Sequence, residues 1–271
     1  MAFNSAIQWT THTWNPIWGC RKVSHGCKYC YAERWIEGKQ GEVFAQVRRT
    51  SAQTWGQMAR LNKKLTGNEP FRERLVFTCS MSDFFIQEAD QYRAELWQII
   101  KATPNLIYQI LTKRPERIAA NLPPDWGEGY ANVWLGTSVE DQTNFNQRMP
   151  ILAQVPAVVR FLSAEPLIGG INIESAQGKI DWVIVGGESG FNTGKWRYRP
   201  CELHWIEDIV NKGRAMVIPV FVKQVGTHLC KQLQCRDHKG GVIDDWPVEI
   251  QVRDFPYKYQ PLDGTIFEDQ Q

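Results

Sequence analysis

The sequence has no run of about 18 apolar residues, the length a membrane-spanning helix requires. Residues 1–13 also lack a basic region followed by an apolar stretch, so no secretory leader is expected, and the protein is expected in the cytoplasm. Charge of one sign is scarce: a formal net charge of +2 excludes a strong field over the whole molecule. No GxGxxG follows the first strand-like run, which removes the fingerprint of a doubly wound dinucleotide-binding sheet. Metal-independent hydrolysis with Glu165 or Glu188 as general base would need a nucleophile beside it, and the sequence supplies no convincing pair.

What is present suffices for one large core. The chain has 271 residues, 43% apolar and 22% charged, a length at which single-domain α/β barrels are common. We expect a main domain over residues 1–226 and a C-terminal extension over residues 227–271 packed on it. Charge is unevenly placed: Cys20 to Lys64 holds ten Lys and Arg against three Glu, and Asp237 to Gln271 holds three basic residues against eight acidic ones. The basic segment 20–64 reads either as a solvated helix face or as a surface for a nucleotide or nucleic acid. The twelve tryptophans are expected to be packing anchors, because no stripe of them has the spacing of a base-stacking platform.

A polar, helix-prone stretch ending near Leu65 precedes six short runs rich in β-branched and aromatic residues: Leu75 to Cys79, Leu106 to Leu111, Asn132 to Gly136, Val158 to Leu162, Trp182 to Val185 and Val217 to Val222. Continuous rather than alternating apolar character predicts parallel strands covered on both faces. Helices are expected between them at Tyr92 to Ala102, Pro115 to Asn121, Asn144 to Gln154 and Glu202 to Gly213. With a short first strand before Cys20, the pattern predicts an α/β fold, a partial or closed (β/α) barrel of about six to seven parallel strands.

Each run ends in polar, ionisable or glycine residues. These are Ser80, Ser82 and Asp83 after the first run, Lys113 and Arg114 after the second, and Ser138 and Glu140 after the third. Glu165, then Gly186, Gly187 and Glu188, and finally Lys223 follow the remaining three. Any one of these ends alone reads as an ordinary helix cap. Six of six, four with a carboxylate and two with a lysine, point instead to a shared functional face at the C-terminal strand ends.

Seven cysteines are an odd number, and a reducing cytosol disfavours disulfides. Cys20, Cys27 and Cys30 form a C-x6-C-x2-C group just before a helix opening Tyr31-Ala32-Glu33-Arg34. Three thiolates can hold three irons of a [4Fe-4S] cluster and leave the fourth open. Zinc is the alternative, with His25 or Cys79 as fourth ligand, although His25 lies awkwardly between Cys20 and Cys27; free thiols are the third reading. Beyond the last strand, His228, Cys230, Cys235 and His238 are suited to a second metal but crowded within eleven residues, so incidental placement is the preferred reading. Cys201 is expected to pack as a small apolar residue.

The Cys27-Lys28-Tyr29-Cys30 ending resembles the cluster loop of radical S-adenosylmethionine (SAM) enzymes, whose usual spacing is C-x3-C-x2-C; the first gap here is three residues longer. Trp14-Asn15-Pro16, Ser80-Met81-Ser82-Asp83, Leu111 to Pro115, Trp134-Leu135-Gly136 and Val185 to Gly190 together resemble a three-cysteine family of uncharacterised function encoded by phages and bacteria. This resemblance spans most of residues 7–224. It implies a barrel of the radical SAM type, a [4Fe-4S] cluster, SAM as cofactor and a flavodoxin- or ferredoxin-like reductant. The open iron would bind the amino and carboxylate groups of SAM, an electron would cleave the sulfonium bond, and the 5′-deoxyadenosyl radical would take a substrate hydrogen. By position the resemblance implies Asp83, with Ser80 and Ser82, at the SAM amino group and Lys113 or Arg114 at its carboxylate. It likewise puts Ser138 and Glu140 at the ribose and Gly186 and Gly187 against adenine or methionine. Glu165, Glu188 and Lys223 remain for a substrate, expected to be a nucleobase, nucleotide or nucleic acid, although Lys223 also suits an ion pair with either glutamate. The competing expectation is a zinc-stabilised nucleic-acid-binding protein without catalysis.

Overall fold

The computed structural model describes residues 5–256; residues 257–271 of the expected C-terminal extension lie outside the described residues. Seven strands pair in chain order in one parallel sheet: β1 (His12–Trp14), β2 (Leu75–Thr78), β3 (Ile107–Thr112), β4 (Val133–Ser138), β5 (Val159–Ala164), β6 (Trp182–Gly186) and β7 (Val220–Gln224). The sheet curls into a half-barrel and does not close, because β1 and β7 are its two edges. The expected α/β partial barrel is therefore the observed fold.

Side chains alternate between two faces along each strand. One set, including Val76, Leu135, Leu162, Val183 and Val222, packs with Leu96, Phe145, Ile206 and Ile209 of the covering helices. The alternate set takes no residue from the covering α-helices among the described residues: Phe77, Trp134, Phe161, Trp182 and Phe221 join Trp9 and Phe255 in an aromatic plug that fills the concave side. Trp134 and Trp182 meet edge to face at 5.8 Å, and Phe255 stacks on Trp182 at 5.4 Å. Such pairs bury large apolar area and favour tilted geometry.

The main helices are α1 (Tyr31–Gln40), α2 (Gln57–Lys64), α3 (Asp90–Lys101), α4 (Gln142–Leu152), α5 (Leu203–Met216) and α6 (Gly226–Leu233). Asp141 caps α4 by accepting from the Asn144 amide at 2.8 Å. Gly41, at φ +67°, ends α1 in the left-handed conformation that glycine adopts freely. The stretch up to Leu65 is accordingly not one continuous helix. After Gly41 the chain forms a two-stranded antiparallel ribbon, Ile17–Trp18 with Arg48–Arg49, then a single turn at Ala52–Trp55 and α2.

Pro115 to Asn121 is also not the expected helix but two 3₁₀ turns, Pro115–Arg117 and Ala119–Asn121. Pro123 and Pro124 follow closely and disfavour helical backbone ahead of them. The Arg117 guanidinium further ties the first turn to the Phe85 carbonyl at 2.7 Å and to Asp90 at 2.6 Å.

After α6 the chain returns across the fold. Trp246 and Ile250 join the helix-side core, and residues 252–254 run along the outer edge of β7. There the Val222 amide donates to the Val252 carbonyl at 2.8 Å, and the Asp254 amide to the Val220 carbonyl at 3.0 Å. Among the described residues, no helix is long and apolar enough to cross a membrane.

Candidate functional site

The plug-facing register continues upward into the polar strand ends. Gln109 and Leu111 lead to Lys113, Gly136 and Ser138 to Glu140, Phe161 and Ser163 to Glu165, Ile184 and Gly186 to Glu188, and Phe221 to Lys223. A two-residue period thus carries five ionisable side chains to the rim above the aromatic plug. Their contacts agree: Lys113 Nζ lies 2.5 Å from Glu140 Oε1, and Lys223 Nζ lies 2.9 Å from Glu165 Oε1.

The cysteine loop joins this rim. Gly19, at φ +86°, opens it; a Cβ there would lie 2.5 Å from the Gln46 carbonyl oxygen, so only glycine fits. The Ser82 hydroxyl donates to the Gly19 carbonyl at 2.6 Å, and the Cys20 amide donates to the Phe44 carbonyl at 2.9 Å. His25–Cys27 form a 3₁₀ turn whose Gly26 is pressed against the Glu140 side chain, where any Cβ would overlap it. Cys30 immediately precedes α1.

Burial, with the Asp83 charge, pushes the Cys20 thiol up to about 12, while Arg114, whose Nη1 is 3.9 Å from the sulfur, opposes the shift. Burial likewise raises Cys30, against the Glu33 and Ala32 amides and the Lys113 charge. All seven cysteines are free. Among the described residues, no three His, Cys, Asp or Glu side chains gather as ligands of a single metal ion. A four-iron cube asks for something different, thiolates spread over separate corners. Three soft, unpaired sulfur donors on a loop shaped by Gly19 and Gly26, with cations alongside, suit it chemically.

The carboxylates at the rim are mostly engaged. Asp83 is buried and accepts from the Phe85 amide (2.9 Å), the Thr112 hydroxyl (2.7 Å), the Lys113 amide (2.9 Å) and Arg114 Nη1 (2.9 Å). It therefore fixes Arg114, which also donates to the Arg21 carbonyl at 2.8 Å and so ties down the cysteine loop. Glu140 is fully buried and receives Lys113, Arg148 Nη1 at 2.9 Å and the Ser24 hydroxyl at 3.1 Å. Glu188 is clasped by Arg199, whose Nη2 lies 2.5 Å from it, and Arg199 reaches on to the His25 carbonyl at 2.7 Å.

The remaining expected contacts serve the frame. The Ser80 side chain pairs with Asn15, and the Ser138 carbonyl accepts from Arg148 at 2.9 Å. A Cβ on Gly186 would lie 2.8 Å from Glu165 Oε1, and one on Gly187 would overlap the Val225 carbonyl, so both glycines make room for the protein itself. Lys113, Lys223 and Glu165 keep partly exposed side chains.

Four residues at the site escaped the sequence reading: Asn15, Tyr31, Arg148 and Arg199. Asn15 lay within the Trp14-Asn15-Pro16 signature and was available as a signal. Arg148 sits on α4 with nothing local to mark it as partner to Glu140. Tyr31 is 48% exposed, yet its hydroxyl donates to the Ser80 carbonyl at 2.6 Å. Desolvation of that inward-turned hydroxyl, with the Cys30 and Glu165 charges, raises its pKa although the residue as a whole is exposed. In the C-terminal group, His228 Nδ1 pairs with the Cys201 carbonyl at 3.2 Å, the Cys230 thiol donates to the Asp237 carbonyl at 2.7 Å, and the Cys235 thiol lies within hydrogen-bond reach of Cys230. Cys201 is fully buried in the core.

No curated protein and no solved structure matches the chain. A family described as "protein of unknown function" (DUF5131) matches residues 4–258, and the chain belongs to that family.

Proposed function

We propose that the protein is a radical SAM enzyme of the phage and bacterial three-cysteine type, with Cys20, Cys27 and Cys30 holding a [4Fe-4S] cluster at the mouth of the half-barrel. One observation carries this reading: the three-cysteine loop is tied onto the C-terminal rim through Arg114, Arg199 and the Gly26–Glu140 contact, where active sites of βα barrels are built. The cluster, when bound, supplies the electron that cleaves the sulfonium bond of SAM.

The chain's own groups hold and orient. Arg114 beside Cys20 and Lys113 toward Cys30 place positive charge that favours the thiolate form and offsets part of the effect of burial. The expected ligand contacts narrow to the groups with exposed atoms: Lys113 and Lys223 for a carboxylate, Glu165 for an amino group, and the Tyr31 ring for an apolar or aromatic face. Asp83, Glu140 and Glu188 act as positioning residues, since each is buried in ion pairs. The working compartment is the cytoplasm, with an acidic low-potential protein as reductant and a nucleobase-bearing substrate.

The test is anaerobic reconstitution with iron and sulfide, metal and labile-sulfide analysis, reduction with dithionite, and chromatography for 5′-deoxyadenosine and methionine. Cleavage is expected from the wild type, and none from Cys20→Ala, Cys27→Ala or Cys30→Ala. A verified cluster-loaded sample that leaves SAM intact refutes the proposal, as does protein purified without oxygen that carries stoichiometric zinc in these cysteines.

A further inference from the structure

The loop between β6 and α5 folds back onto the cysteine loop and α1, and it brings together aromatic rings and cations far apart in sequence. Phe191 is 54% exposed and carries the Arg34 guanidinium at 5.4 Å from its ring centre. Trp196, joined to Phe191 through a backbone bond of 2.8 Å, carries the Lys195 ammonium at 4.4 Å. Tyr198 carries Lys231 at 5.0 Å, and Tyr29 of the cysteine loop carries both Lys28 at 5.2 Å and Arg199 at 5.5 Å. Two of these cations are neutralised, Lys195 by Glu37 and Glu33 and Arg199 by Glu188. Among the described residues, no carboxylate lies within ion-pair distance of Lys28, Arg34 or the exposed Arg197, and Lys231 donates to the neutral Asn192 side chain and Tyr198 hydroxyl, so the face is left positive.

We propose that this face binds single-stranded nucleic acid, with Phe191 and Trp196 stacking bases and Lys28, Arg34, Arg197 and Lys231 meeting phosphates. A ring with a cation on one face and solvent on the other accepts a base from the open side, and unpaired cations between such rings track a backbone. Duplex nucleic acid hides its base faces and would use only the charge. The surface borders the rim described above, so an extended strand bound here would lie next to the mouth. This inference rests on the surface alone and needs no SAM chemistry.

Fluorescence anisotropy of labelled 15-nucleotide DNA and RNA single strands with the full chain, as purified and cluster-loaded, tests it. Binding is expected at low salt, stronger than for the same sequence as duplex and weakening as salt rises. Phe191→Ala and Trp196→Ala should each lower affinity about five-fold or more, and Lys28→Glu with Arg197→Glu should flatten the salt dependence. Thermal melts confirm that these surface variants remain folded. No single-strand binding, equal binding of duplex, or affinity unmoved in both aromatic variants overturns the proposal. So does loss in these variants of binding to an acidic electron-carrier protein while no oligonucleotide binds. Failure of SAM cleavage with intact strand binding would sink only the enzymatic reading.

Discussion

A carboxylate removed from water keeps its charge only beside cations, and Glu140 is such a case. Burial alone would raise its pKa; Lys113 and Arg148 outweigh burial and hold it below the ordinary carboxylate range. An unfolded glutamate titrates near about 4.3, so the stabilisation is fully present above that pH and is lost as pH falls through it toward the lower folded value. Glu140→Gln should therefore lose less stability than the wild type between about pH 5 and 3. At neutral pH it should be less stable by about 3 kcal/mol, because the buried Arg148 and the partly exposed Lys113 lose their counter-charge. Urea midpoints across pH, followed by circular dichroism, check both, and parallel curves would contradict the assignment. The sequence marked Glu140 as a strand-end carboxylate but gave no sign that it faces inward to Arg148. That pairing depends on α4 returning over β4, a tertiary fact. Asp83 is similar: its place after β2 was legible, and its four internal partners were not.

At the scale of elements, the strands read clearly because apolar β-branched runs flanked by polar residues have few other solutions. Their ends were displaced by only a few residues. Short helices read poorly: Pro115 to Asn121 satisfied the spacing of a crossover helix, but two prolines downstream left room only for 3₁₀ turns. Helix packing adds a constraint that periodicity hides. Gly213 sits in the last turn of α5, where alanine would ordinarily gain up to about 1 kcal/mol in helix propensity. Here a Cβ would overlap Val220 Cγ2 and lie 3.0 Å from the Ile218 carbonyl. Overpacking of this kind costs about 1–3 kcal/mol, so Gly213→Ala should destabilise despite the propensity gain. A raised melting temperature would show instead that α5 can lift from β7 freely.

Over the whole molecule, the apolar plug and the ionisable rim that we propose as the site of chemistry occupy opposite ends of the half-barrel. The aromatic plug stops below the ionisable rim, and Phe255 enters it from the end of the described chain, against Trp182, Phe221 and Phe71. Phe255→Ala should cost about 3–5 kcal/mol in denaturant unfolding while leaving unchanged the ratio of iron taken up by the proposed cluster site to folded protein, because the plug cluster contains none of the three cysteines. A cluster lost in proportion beyond the unfolded fraction would show that the plug and rim are coupled. The half-barrel itself was legible from repeated strand-then-polar units. The stacking face beside its mouth was not: Tyr29 and Phe191 come from segments more than a hundred residues apart in the sequence, and no local spacing of aromatic residues announces it.

An unclosed parallel sheet presents two rows of unpaired amides and carbonyls, which in other chains template self-association. Here β1 is three residues long, and residues 252–254 lie antiparallel along β7 and take up its outward hydrogen bonds. Those few residues near the C-terminal end are therefore a guard against aggregation: they let the barrel stay open beside its mouth without offering the next copy of the chain a strand to grow on.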